Sequence, residues 1–224
     1  MRPGFSLWLD VLRALAALTV LAGHIAHVRF TRGDYLFLRE INIASDAVIV
    51  FFVLSGCVIA FAAERDGSLG RFAFNRLTRV WTVVLPALIA TVIFDAIGYR
   101  ADPSAYPADY YQPQTLVDMF GRGLSFTNEW QGQGFDRQRL GTNGPLWSLS
   151  YEVAFYAIFG IAMFLPRAQQ IALIGCLAVF VGLPILALLP AWALGVLVWR
   201  TVRDGAPLSL RRAWTWAVGA PVML

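Results

Sequence analysis

Six long runs of predominantly apolar residues dominate the chain and leave few folds open to it. A bilayer hydrocarbon core of roughly 30 Å takes about 20 apolar residues in a helix. Leu9 to Val28, Ile43 to Ala63, Leu77 to Gly98 and Pro145 to Leu165 meet that length, and Ile171 to Leu188 and Pro190 to Val202 follow, interrupted by Pro184 and Pro190. A seventh run starts at Ala213 and reaches the last residue, Leu224, after twelve residues. At about 1.5 Å per residue it reaches only ~18 Å, short of a crossing. Inside a membrane each backbone N–H and C=O must find its partner within the segment, which helices achieve. The expected fold is therefore all-α: a polytopic transmembrane helical bundle of six spans with an incomplete seventh. It reads as one domain over 1–224, incomplete at its C-terminus.

Composition excludes the main alternative. The chain is 58% apolar and 14% charged, with a mean hydropathy of +0.61, whereas soluble domains carry about 25% charged residues. All 18 basic residues are arginine, and the net charge is +4. No basic run is long enough to point to nucleic acid, so the charge reads as a topology signal and as contacts to anions. Cys57 and Cys176 lie within apolar runs, where cysteine behaves as a small hydrophobe; neither a disulfide nor a metal site is expected. Only Arg2 precedes the first run and no small-residue cleavage pattern follows it, so it reads as a retained span rather than a signal peptide.

Arginines near the span ends set the expected orientation. Arg65, Arg71, Arg76 and Arg79 lie between spans two and three, and Arg200, Arg203, Arg211 and Arg212 follow span six. Both loops read as cytoplasmic by the positive-inside rule, against the competing Arg29, Arg32 and Arg39 after span one. The protein is expected in the cell (inner or plasma) membrane as a multi-pass protein with a cytoplasmic N-terminus. Residues 99–143 then form a long extracytoplasmic loop. It is rich in aromatics, and a connection of that length folds over the outer mouth rather than dangling as a linker.

Ionisable residues inside a span cost about 2.5–3.5 kcal/mol at its centre, so they face a bundle interior or a water-filled path. Span one carries Asp10, Arg13, His24 and His27. Arg13 and His24 are eleven residues apart, close to three helical turns, so they share one face. Asp10 and Arg13 also suit a local pair, with Arg13 reaching to the headgroups, and His24 suits a core hydrogen bond as well as proton transfer. Span four opens Trp147-Ser148-Leu149-Ser150-Tyr151-Glu152, with Ser148 and Glu152 on one face. Glu152 falls at a depth comparable to His24, which suits a carboxylate-oriented base; a structural ion pair or a proton relay fits the same spacing. Arg76 and Arg79 suit phosphates, although the topology rule alone would place arginines there and on spacing alone is favoured.

Four blocks together resemble the membrane acyltransferase type 3 family: Leu9-Asp10-Val11-Leu12-Arg13-Ala14 leading to Gly23-His24, Phe51-Phe52-Val53-Leu54-Ser55-Gly56, Arg76-Leu77-Thr78-Arg79, and Trp147-Ser148-Leu149-Ser150-Tyr151-Glu152. Beyond residue 160 or so the likeness is in hydropathy, plus Ala193-Leu194-Gly195 at an expected small-residue position. The chain departs from the family pattern at Ile49, where an aspartate often precedes the Phe-Phe pair, and in stopping well short of the family's roughly ten helices. The resemblance implies an O-acyltransferase moving an acyl, most simply acetyl, group from cytoplasmic acyl-CoA to a hydroxyl of an extracytoplasmic carbohydrate or lipid-linked acceptor. It makes His24 the catalytic histidine, Arg13 its partner, Glu152 the carboxylate and Arg76 and Arg79 the acyl-CoA motif. Asp10, Trp147, Ser148 and Ser150 are further candidates, and a serine can be argued as an acyl carrier. The same polar residues fit a proton-coupled transporter or flippase. They also fit a non-catalytic subunit packed against a membrane partner or a second copy of itself.

Overall fold

The computed structural model describes residues 3–27, 31–108 and 110–205. In chain order the helices are α1 (Pro3–Ile25), α2 (Phe37–Glu40), α3 (Ile43–Asp66), α4 (Leu69–Ala101), α5 (Leu116–Ser125), α6 (Trp147–Phe164), α7 (Arg167–Val181) and α8 (Leu183–Arg203), with 3-10 turns at Pro103–Ala105 and Gly144–Leu146. Among the described residues there is no strand.

Five of these helices, α1, α3, α4, α6 and α8, are long and apolar enough to cross a membrane. The expected count of six spans is not confirmed among the described residues. Where Ile171 to Leu188 was expected to span, the helix is Arg167–Val181, 15 residues, or about 22 Å at roughly 1.5 Å per residue. The break falls at Gly182, whose φ of 82° lies in the left-handed region open to glycine. It does not fall at the prolines. Pro184 sits in the first turn of α8, where a missing N–H costs nothing, and Pro190 lies inside α8. The seventh run, with Arg211 and Arg212, lies outside the described residues, as do Val28 and Arg29.

The chain divides into two compact units, one of residues 1–61 and 191–224 and the other of residues 62–190. In the first unit α3 and α8 cross at contact distance. A Cβ on Gly56 would fall 2.0 Å from the Trp192 carbonyl oxygen, and one on Gly195 would fall 1.9 Å from that of Val53. No other residue fits at either position, and small residues let membrane helices approach this closely. Trp192 then donates its indole N–H to Ser55 Oγ at 3.3 Å. The Phe-Phe-Val-Leu-Ser-Gly block and the Ala-Leu-Gly block are thus two halves of one contact. On α1 the residues buried at seven-residue spacing are Leu9, Ala16 and Gly23.

In the second unit α4 and α6 run antiparallel. Phe72, near the start of α4, packs on Phe159 and Phe164 near the end of α6, and further along Val80, Val84 and Leu88 share a core with Leu146, Met119, Phe126 and Leu140. The segment expected as a long loop is ordered by its own hydrogen bonds. Thr115 caps α5 by accepting from the Asp118 N–H. The N–H groups of Gln131, Gly132 and Gln133 donate to the carbonyls of Val181, Phe180 and Val179, which satisfies acceptors that the last turn of α7 cannot satisfy itself.

Candidate active site

The candidate residues fall in both units, Asp10, Arg13 and His24 in the first and the remainder in the second. On α1, Arg13 donates to Asp10 Oδ1 at 3.3 Å, with side chains 31% and 64% exposed. The local pair expected from the i, i+3 spacing is present. His24 is exposed in the last turn of the same helix. Its neighbour Gly23 seats α1 on the start of α3, where a Cβ would lie 2.5 Å from that of Ala44.

Arg76 and Arg79, three residues apart on α4, have opposite surroundings. Arg79 is exposed; Arg76 is buried and faces the carboxylate of Asp66, also buried, with Nη2 and Oδ2 3.9 Å apart. The other oxygen of Asp66 accepts from Asn75 Nδ2 at 3.0 Å and from Arg65 Nε and Nη2 at 3.3 and 3.2 Å. Tyr156 on α6 lies within electrostatic reach of Arg76. Tyr156 in turn donates its hydroxyl proton to Glu152 Oε1. Two polar pairs, Asp66 with Arg76 and Tyr156 with Glu152, thus lie within the apolar unit.

At the start of α6 the candidate serines are tied to backbone. Ser150 is fully buried and donates to the Phe126 carbonyl at 2.5 Å, and Ser148 donates to Pro145 O at 3.1 Å. Trp147 packs edge-on against Tyr151, ring centroids 5.0 Å apart. The approach to this helix is pinned by Asp95, a buried carboxylate of α4 that accepts from the N–H and hydroxyl of Thr142 at 2.9 and 2.5 Å. Asn143 donates to Thr91 Oγ1 at 2.9 Å beside it. Next to the Phe126 tie, Glu129 is buried and paired with Arg137 Nε at 2.8 Å. Burial raises the Glu129 carboxyl above its ordinary value and the Arg137 charge lowers it, with burial the larger effect.

Asp66, Asp95, Glu129 and Tyr156 are not among the residues the sequence singles out. Asp95 had a signal, being an acid within an apolar run, and Tyr156 stands one helical turn beyond Glu152. Asp66 and Glu129 sit in polar turns that look like any solvated connection. No group of three or more His, Cys, Asp or Glu placed to hold a metal occurs among the described residues.

The model of the acyltransferase domain matches residues 6–220, and the chain belongs to that acyltransferase family. It is 33% identical over 152 residues to acyltransferase MdmB of Streptomyces mycarofaciens, an alignment covering 66% of this chain and 36% of that protein. It is 29% identical over 181 residues to the O-acetyl transferase of Shigella phage Sf6, covering 79% of this chain and 51% of the phage protein. The chain thus spans between about a third and about a half of the relatives it matches. No solved structure matches it.

Proposed function

We propose that this transferase is a membrane O-acyltransferase that takes an acyl group, most simply acetyl, from cytoplasmic acyl-CoA and places it on a hydroxyl of an extracytoplasmic carbohydrate or lipid-linked acceptor. The observation that carries the reading is the polarity of α4 and α6. Arginines gather at the start of α4, with Arg71 and Arg79 exposed, while the opposed helix holds a hydrogen-bonded carboxylate, Glu152, within an apolar span. Forked guanidinium groups suit the phosphates of the donor, and an intramembrane carboxylate is costly enough to mark a functional path. With the N-terminus cytoplasmic, the arginines meet the donor on the inner side and the acyl thioester extends toward the outer side.

His24 is the base in this reading. It removes the proton of the acceptor hydroxyl as the oxygen attacks the thioester carbonyl; the C–S bond breaks and the proton passes to the departing thiolate. Glu152, which accepts from Tyr156, is the carboxylate of this reading, and Arg13 stands on the same helix as His24. Ser150, engaged with Phe126, is not needed as an acyl carrier.

Transfer from labelled acetyl-CoA in membranes expressing the chain tests the proposal. His24→Ala is expected to lower the rate by about a hundredfold or more, the usual contribution of a general base, and Arg79→Ala to raise the donor KM. Equal rates in wild type and His24→Ala would remove His24 from the mechanism. Absence of transfer in every version would favour a non-catalytic subunit.

A further inference from the structure

Asp66 and Arg76 form a buried pair that is incompletely satisfied. Their separation of 3.9 Å is a Coulombic contact, too long for a hydrogen bond. Asp66 Oδ2 and Arg76 Nε are both buried, and neither has a hydrogen-bond partner among the described residues. Buried polar groups are nearly always paired, so an unmatched N–H on a side chain only 8% exposed marks a place for an acceptor.

The chemistry of that acceptor follows from Asp66. With Arg65 and Asn75 held on Oδ1, Asp66 turns Oδ2 to Arg76, so an anion brought to Arg76 would meet this carboxylate in a low-dielectric interior. Arg79, exposed and three residues on, carries no such counter-ion in the salt bridges of the described residues. A hydrated phosphate therefore belongs with Arg79. A neutral carbonyl oxygen suits Arg76 Nε, because it satisfies the donor without adding charge.

We propose that the two arginines divide the donor between them: Arg79 binds the phosphates of CoA, and Arg76, held by its counter-ion Asp66, binds a carbonyl oxygen of the uncharged acyl-pantetheine arm. The inference rests on the acyl-CoA reading above. Asp66 is a positioning residue in it, acting through Arg76.

Equilibrium binding to the purified, membrane-reconstituted chain separates the roles, with acetyl-CoA and S-acetylpantetheine as probes, the second lacking the phosphates. Arg79→Ala is expected to weaken acetyl-CoA by about tenfold, the worth of a charge-assisted contact, and to leave S-acetylpantetheine unchanged. The double variant Asp66→Asn with Arg76→Gln, which leaves no unpaired charge buried, is expected to weaken both probes by the same factor, about tenfold for one hydrogen bond donated by a guanidinium. Arg76→Lys keeps the charge opposite Asp66 and removes Nε; it gives the same pattern and serves where the double variant does not fold. Weakening of acetyl-CoA alone in these Arg76 variants would make both arginines phosphate ligands and overturn the division. Unchanged binding of both probes would take Arg76 away from the donor. Failure of the wild type to bind either probe would overturn the acyl-CoA reading itself, and this inference with it.

Discussion

The two units stabilise themselves by different means. In the first, the helices that matter are drawn together by glycine, and the ion pairs of its described residues, Asp10 with Arg13 and Asp204 with Arg203, stay at the surface. In the second, charges go inside: Asp66 with Arg76, Asp95 with Thr142, Glu129 with Arg137. Backbone contact needs only the absence of side chains, whereas a buried charge needs a partner at each polar atom. The difference teaches where substitution is expensive. Deleting a charge should damage the second unit and spare the first, whereas adding a methyl group is costly in both, since a Cβ on Gly132 of the second unit would also fall 1.9 Å from a carbonyl oxygen, that of Val179.

Arg76→Ala gives the largest effect. It leaves the buried Asp66 with the exposed Arg65 as its remaining counter-ion, and removing one member of a buried pair costs up to about 3–5 kcal/mol. The second unit should then lose stability cooperatively, read as a lowered melting temperature in detergent. A loss below about 1 kcal/mol, the range of surface pairs, would mean that water reaches Asp66 and that the two units do not differ. Next comes Gly195→Val in the first unit. The added carbons meet the Val53 carbonyl at a distance no side chain occupies, and overpacking of this kind costs about 1–3 kcal/mol. Trp192 fluorescence should report the displacement of α8. An unchanged melt and spectrum would show that the crossing is loose.

How much of this was legible in the sequence depends on how local each feature is. The Asp10–Arg13 pair could be read because three-residue spacing fixes it locally, whereas Gly56 and Gly195 stand out only as members of separate blocks and their mutual contact is not legible. Length and hydropathy also located the four longest early spans, since each needs only its own residues. What failed was non-local. Gly182 ends α7 at a positive φ, where a Cβ would meet Gln131 and Gly132 of another segment, and the prolines that looked like the break are accommodated within α8. Arg76 and Arg79 looked equivalent because periodicity carries no information about Asp66, ten residues earlier around a turn. The arrangement of Ser150 is likewise set by Phe126, 24 residues away.

Glu129 and Arg137 stand between the extremes, a carboxylate 4% exposed facing a guanidinium 57% exposed. Burial raises the Glu129 carboxyl above its ordinary 4.5 despite the nearby arginines. The folded state therefore holds this proton more tightly than the unfolded state. The group contributes stability that is complete below pH 4.5 and is lost as pH rises through the raised value. Wild type minus Glu129→Gln, measured across that window, should show stability falling with rising pH. A flat difference would mean that Glu129 is solvated like a surface acid, and the intermediate case would disappear.

Asp10→Asn should have the smallest effect. The pair is local, exposed and joined by a single long contact of 3.3 Å, so its Coulomb energy is spent in a high-dielectric setting while two side chains lose rotamer freedom. Exposed pairs of this kind are worth about 0–1 kcal/mol, and i, i+3 neighbours on a helix a few tenths. Asp10→Asn is expected to shift the melting temperature by no more than that range allows, and less at high salt, where exposed charges are screened. A loss comparable to that of Arg76→Ala would require Arg13 to be as dependent on its acid as Arg76 is on Asp66. Arg13 would then have to be reassigned from the path wall to a buried structural pair, since an arginine held that firmly by one carboxylate has little charge left to offer a substrate.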